Sequence, residues 1–265
     1  MELLNIYGVI GALLIGIVLG LTGGGGSILT VPIMVYVLNV NPITSTAYSL
    51  FVVGSTALVG SVRNAQKGMI EYKTAVVFAI PAFIAVFLTR KFIIPAIPDT
   101  LFTLNNFVFT KDLGIMVFFA LLMLFASISM IKERKVVKVK KEANFNYTLI
   151  ILEGFVVGVL TGLVGAGGGF LIIPALVLFA NLPMKRAVAT SLIIIAVKSL
   201  IGFLVDIGNI DINWIFLLSF TTLSIFGIII GIWLNNFIDG KKLKKAFGYF
   251  ILLMAIVIII KELNT

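Results

Sequence analysis

Residues 20–32 read GLTGGGGSILTVP, and residues 162–174 read GLVGAGGGFLIIP, 142 positions further along the chain. Seven of the 13 aligned positions are identical: Gly20/Gly162, Leu21/Leu163, Gly23/Gly165, Gly25/Gly167, Gly26/Gly168, Leu29/Leu171 and Pro32/Pro174. Each glycine cluster interrupts an apolar run that resumes on its far side. The likeness extends well beyond the glycines. Aligned without gaps, residues 16–60 and 158–202 agree at 15 of 45 positions, among them Asn39/Asn181, Ser49/Ser191 and Gly60/Gly202. Paired interruptions of corresponding membrane segments are the best sequence pointer to a transporter's binding site.

Composition supports a membrane setting. Only 12% of residues are charged and 60% are hydrophobic, with a mean hydropathy of +1.19. A soluble domain carries about 25% charged residues, so lipid must be the solvent for most of this surface. The first apolar run has no basic flank or small-residue cleavage motif, and reads as a retained membrane segment rather than a leader. The net charge of +9 comes from basic residues lying between hydrophobic segments. Topology and anionic headgroups account for them better than nucleic acid does. The chain has neither cysteine nor histidine. That excludes disulfides, thiol chemistry, haem ligation and histidine-based metal or acid–base sites. No metal or cofactor is expected, and most enzyme classes fall with them.

Ten apolar segments can be read, at about 3–20, 27–39, 44–62, 73–95, 113–131, 147–164, 169–181, 186–205, 213–236 and 244–262. Residues 27–39 and 169–181 are only 13 long, roughly 20 Å at a helical rise. They cannot cross a hydrocarbon core of ~30 Å, and read as re-entrant or half-helices. The helix before each break carries small residues every fourth position, Ala12, Gly16 and Gly20, then Gly154, Gly158 and Gly162. Such stripes let a neighbouring helix approach closely. The expected organisation is a first membrane repeat over 1–131, a charged cytoplasmic linker over 132–146 and a second repeat over 147–265.

Loop charge sets the topology. If each broken pair forms a hairpin or two crossings, one side receives 15 basic residues. These are Arg63, Lys67, Lys73, the six linker residues, Lys185, Arg186, Lys241, Lys242, Lys244 and Lys245. The other side receives four: Arg90, Lys91, Lys111 and Lys261. Treating each broken pair as one span gives about 10 against nine, with no bias. The positive-inside rule favours the first scheme, with both termini outside the cytoplasm. Each half then crosses an odd number of times. The fold class is an all-α polytopic membrane protein of two inverted repeats, about five hydrophobic segments each, related by a pseudo-two-fold axis in the membrane plane.

Backbone that leaves helical geometry at membrane depth must be buried in protein or line a wet cavity. The run Gly23, Gly24, Gly25, Gly26 permits positive φ and close approach of a ligand. The helices restarting at Ser27 and Gly169 present unpaired amides and a positive dipole end, which bind anions. With inverted halves, two such ends converge near the midplane. The candidate ligand is therefore a small anion, held by those glycines and by Gly165, Ala166, Gly167, Gly168 and Gly169. The competing reading is that the glycines serve helix packing alone. Their duplication, the short helix that follows and Pro32/Pro174 weigh against it. A dinucleotide reading of Gly165, Gly167 and Gly168 lacks the preceding strand and the following acid that such a loop needs.

Lys198 lies well inside the 186–205 segment, at the position matching Thr56. An intramembrane charge is a functional candidate by default, and an ammonium attracts an anion. The alternatives are snorkelling toward the interface and pairing with Asp206. Ser49 and Ser191 hold matching positions beside Tyr48 and Thr190, and offer hydroxyls to substrate oxygens or to neighbouring helices. Glu153 is the one acid well inside an apolar run, suited to a coupling proton or to cytoplasmic water. Asn39 and Asn181 end the half-helices as C-terminal caps.

These residues resemble the TauE/SafE family of sulfite and organosulfonate exporters. The resemblance covers nearly the whole chain, each half opening with the glycine break and its proline, at Gly20–Pro32 and Gly162–Pro174. A second echo sets Gly68-Met-Ile-Glu71 against Gly208-Asn-Ile-Asp211. Ala166 and Gly169 depart from the glycine and serine of the first copy, so the two half-sites are unequal. The resemblance implies a plasma-membrane secondary transporter exporting a small sulfur-containing anion, such as sulfite, sulfoacetate or a related sulfonate. Proton or sodium coupling is open, and the alternatives are an anion channel or a non-transporting accessory subunit.

Overall fold

Every long apolar run becomes a helix, because a chain in lipid must satisfy its backbone polar groups within itself. The computed structural model describes residues 6–104, 107–132, 147–165, 167–178, 180, 182–235, 237 and 240–263. The linker from residue 133 to 146, Ala166 and Asn181 lie outside the described residues, as do the side chains of Pro174, Lys241, Lys242 and Lys244.

The first half comprises α1 (Ile6–Thr22), α2 (Gly26–Pro32), α3 (Pro42–Gln66), α4 (Tyr72–Leu88), α5 (Ile94–Ala96) and α6 (Lys111–Ile131). The second comprises α7 (Tyr147–Val164), α8 (Gly169–Leu178), α9 (Met184–Asp206), α10 (Trp214–Leu234) and α11 (Gly240–Leu263). Two π-helical stretches, Ile33–Val37 and Thr89–Ile93, extend α2 and join α4 to α5. Pro32 has no amide to donate back along α2, and the wider turn begins immediately after it. Asn39 takes a positive φ of 52° just beyond this stretch.

Among the described residues, five helical stretches are long and apolar enough to cross a membrane: Pro42–Gln66, Tyr72–Ala96, Lys111–Ile128, Lys185–Asp206 and Trp214–Leu234. Large apolar side chains face outward, with Ile215 75% and Phe125 71% exposed. That surface has no business in water, and the chain is an all-α polytopic membrane protein. One element falls outside the apolar-segment pattern. Strands β1 (Thr100–Leu104) and β2 (Phe107–Thr110) pair antiparallel between α5 and α6. Phe102 and Phe109 stack there with centroids 4.7 Å apart. Strands rich in Thr, Phe and Val suit a pleated pair.

Small residues decide which helices pair. The Ala12–Gly20 stripe of α1 lies on α10, where a Cβ on Gly16 would fall 2.0 Å from Ser224 O. The Gly154–Gly162 stripe of α7 lies on α4, where a Cβ on Gly158 would fall 2.4 Å from Ala82 O. These contacts are the same pair read 142 positions apart with the halves exchanged. The exchange recurs where Gly60 meets Ile228 and Gly202 meets Val86. Helices α3 and α9 are each other's counterparts and run antiparallel. Phe51 packs on Phe203 at 4.9 Å, while Leu50 touches Gly202 and Leu192 touches Gly60.

Candidate functional site

The chain leaves helical geometry at the same point in each half. The Gly23 amide donates to Leu19 O at 2.8 Å, and the Gly165 amide donates to Thr161 O at 2.8 Å. Gly23 and Gly165 then adopt φ of +71° and +70°, which glycine reaches without a Cβ penalty. Each turn presses on the long helix of the other half, Gly23 on Val188 and Gly165 on Thr46. Beyond that point the halves diverge. Gly25 is already right-handed, its amide donates to Thr22 Oγ1 at 2.8 Å, and Ser27 Oγ donates to Gly24 O at 2.6 Å. In the second half Gly167 and Gly168 keep positive φ, +49° and +64°, so the chain stays unwound until α8 begins at Gly169.

The two breaks touch. A Cβ on Gly24 would lie 2.4 Å from Gly169 Cα, and one on Gly169 would lie 2.2 Å from Gly24 Cα. Ser27 sits against Gly167. No ligand fits between Gly24 and Gly169 in this packing.

Lys198 lies beside the second break. It is 1% exposed, its Nζ donates to Thr161 Oγ1 at 2.9 Å, and a Cβ on Gly168 would fall 2.7 Å from that nitrogen. Among the described residues no carboxylate pairs with it. Neither alternative drawn from sequence holds. The side chain is too buried to snorkel, and Asp206 is taken by Arg90, whose Nη1 lies 3.0 Å from Asp206 Oδ2. Arg90 also leaves the loop charges among which sequence grouped it, since it is 2% exposed within the Thr89–Ile93 stretch. The first half has no matching cation, with Thr56 and Leu19 standing where Lys198 and Thr161 stand.

The remaining candidates separate. Ser191 Oγ approaches Gly23 O and Val188 O at 2.8 Å each, tying the first break to α9. Its counterpart Ser49 is fully buried, and its Oγ has no partner. Thr56 Oγ1 is likewise buried and unpartnered. Glu153 stands eight residues before Thr161 on α7, about 12 Å along the axis, and touches neither break. Tyr48 and Thr190 have a role that sequence did not assign. The Asn213 amide donates to Tyr48 Oη at 2.7 Å and the Glu71 amide to Thr190 Oγ1 at 3.0 Å. Glu71 and Asn213 are 142 apart, so the loop echo of sequence is in register at that spacing rather than at the Gly68/Gly208 spacing of 140.

The site thus combines two meeting helix breaks with a buried ammonium that, among the described residues, has no carboxylate partner. The family model described as "Sulfite exporter TauE/SafE" matches residues 8–258. The chain belongs to the TauE/SafE sulfite exporter family of membrane transporters and is not an enzyme. It is similar to a probable membrane transporter protein of Xylella fastidiosa (strain Temecula1), 29% identical over 253 residues, covering 93% of this chain and 91% of that one. It is also similar to the probable membrane transporter protein YunE of Bacillus subtilis, 28% identical over 272 residues, covering 94% and 92%. No solved structure gives a significant match.

Proposed function

We propose that this transporter exports a small sulfur oxyanion, such as sulfite or a short sulfonate, bound where Lys198 meets the second glycine break. The observation that carries the proposal is the buried ammonium of Lys198, with a hydroxyl but no carboxylate at 2.9 Å. An uncompensated buried charge is costly, and a bound anion removes that cost. Gly167, Gly168 and Gly169 supply amides at the start of α8, where the helix dipole adds to the attraction. The unpartnered hydroxyls of Ser49 and Thr56 are further donors on α3. Ser191 holds the first break in shape, and Gly23, Gly24, Gly25, Gly26 and Ser27 form the opposing wall. Because the halves differ in charge, the substrate is held mainly by the second.

The exchange-related contacts support inverted repeats. A two-fold operation that maps α3 onto antiparallel α9 must lie across both helices, hence in the plane of the membrane they span. The packed Gly24/Gly169 contact is then an occluded arrangement, and rocking of one half against the other opens it to either side. Both termini face outside and the linker faces the cytoplasm of the plasma membrane. A potential of 100 mV, negative inside, drives each negative charge outward with about 2.3 kcal/mol. Export therefore requires no coupling ion. The test is a thermal-unfolding panel of sulfite, methanesulfonate, sulfate and acetate against wild type and Lys198→Ala. Sulfite or methanesulfonate should raise the wild-type midpoint and leave the variant unmoved. No response to any anion in the wild type contradicts the proposal.

A further inference from the structure

We propose that Arg90 forms a second oxyanion subsite, nearer than Lys198 to the C-terminal end of α9, with Asp206 holding its guanidinium in place beside the open edge. The subsite deepens the export function proposed for Lys198 and rests on it. Arg90 belongs to the π-helical stretch Thr89–Ile93 and is 2% exposed. Its Nη1 donates to Asp206 Oδ2 at 3.0 Å, while Nε and Nη2 are buried and have no partner. Nε and Nη2 form one edge of the guanidinium, with two parallel N–H groups spaced for the two oxygens of a carboxylate or sulfonate. Asp206 thus holds one nitrogen and leaves the bidentate edge open. The neighbouring Thr89 Oγ1 is also buried without a partner. Leaving such donors unsatisfied away from water is costly, and a visiting oxyanion satisfies two at once.

Packing does not require the pair. In the equivalent interface of the other half, 142 positions away, Asn64 and Ile232 stand where Asp206 and Arg90 stand. There Asn64 Nδ2 merely bonds back to Gly60 O at 2.9 Å, and α3 and α10 leave a cleft of about 350 Å³ lined by Arg63, Gln66, Ile228 and Ile232. The two interfaces share Gly60/Ile228 and Gly202/Val86 contacts, so the ion pair is an addition to a helix contact that forms without it. Asp206 follows Lys198 by eight residues on α9, about 12 Å along the helix. An anion leaving the ammonium meets the open edge of the guanidinium next, where the nearby Asp206 carboxylate repels it and so limits how tightly it is held.

The test titrates methanesulfonate into purified wild type, Asp206→Asn, Lys198→Met and the double variant Arg90→Gln/Asp206→Asn. Asp206→Asn removes the competing charge at constant shape, so its dissociation constant should fall about tenfold or more. The double variant should bind no better than wild type. If Asp206→Asn folds only with methanesulfonate present, and not with neutral dimethyl sulfone, the result supports the subsite equally. Failure of methanesulfonate to rescue it overturns the subsite. An Asp206→Asn affinity within about twofold of wild type also overturns it. If in that case Lys198→Met has lost binding, the Lys198 site stands alone. Tightening in Asp206→Asn with undiminished binding in Lys198→Met keeps the subsite and removes the Lys198 assignment. Absence of binding in every protein removes both.

Discussion

A buried ammonium is retained in a membrane protein only when something offsets its desolvation, and Thr161 Oγ1 at 2.9 Å does so only in part. Replacing Lys198 with Met keeps the length of the side chain and removes the charge. Lys198→Met should therefore stabilise the anion-free protein by about 1–4 kcal/mol, as other buried charges do when replaced by apolar groups. Thermal unfolding without added anion checks this, and a marked loss of stability would make the lysine structural. The two serines should part in the same assay. Ser191→Ala removes contacts to Gly23 O and Val188 O and should cost about 1–2 kcal/mol. Ser49→Ala deletes a buried hydroxyl that has no partner, and should be neutral or stabilising by up to about 1 kcal/mol. Sequence placed Ser49 and Ser191 as equals. Only the fold shows that one is engaged and the other free, because Gly23, which Ser191 meets, lies on the other half.

At the scale of helices, the stripes of α1 and α7 are legible in sequence, since small residues four apart have one obvious use. Their partners are not. Nothing local says that α1 should leave its own half to pack on α10, or that Gly158 should meet Ala82. Substituting Gly16 or Gly158 with Leu inserts a side chain where a Cβ already falls 2.0 or 2.4 Å from a carbonyl oxygen. Each should lower stability by about 3 kcal/mol or more, seen as a comparable drop in melting midpoint for both. Breaks, half-helices and long spans were readable because glycine runs and apolar length are one-dimensional signals. The Arg90–Asp206 pair was not, because its members are 116 residues apart and Arg90 is turned inward by a π-helical stretch that no residue announces. The β1–β2 pair is not legible in the same way, because strands of five and four residues carry neither the length of a span nor a glycine break.

For the whole molecule, the proposed inverted halves fix which loops share a side, and a chain without cysteine makes single-cysteine labelling clean. Lys67→Cys, in the exposed turn after α3, should react with a membrane-impermeant maleimide only from the cytoplasmic side. Asn209→Cys, in the exposed turn after α9, should react only from the other. Labelling of both from one face would contradict the inverted arrangement. Transport itself is decided by counterflow in proteoliposomes. Radiolabelled sulfite should exchange saturably through the wild type and fall to the level of empty vesicles with Lys198→Met, while the variant remains folded. Exchange through Lys198→Met at the wild-type rate would contradict the account.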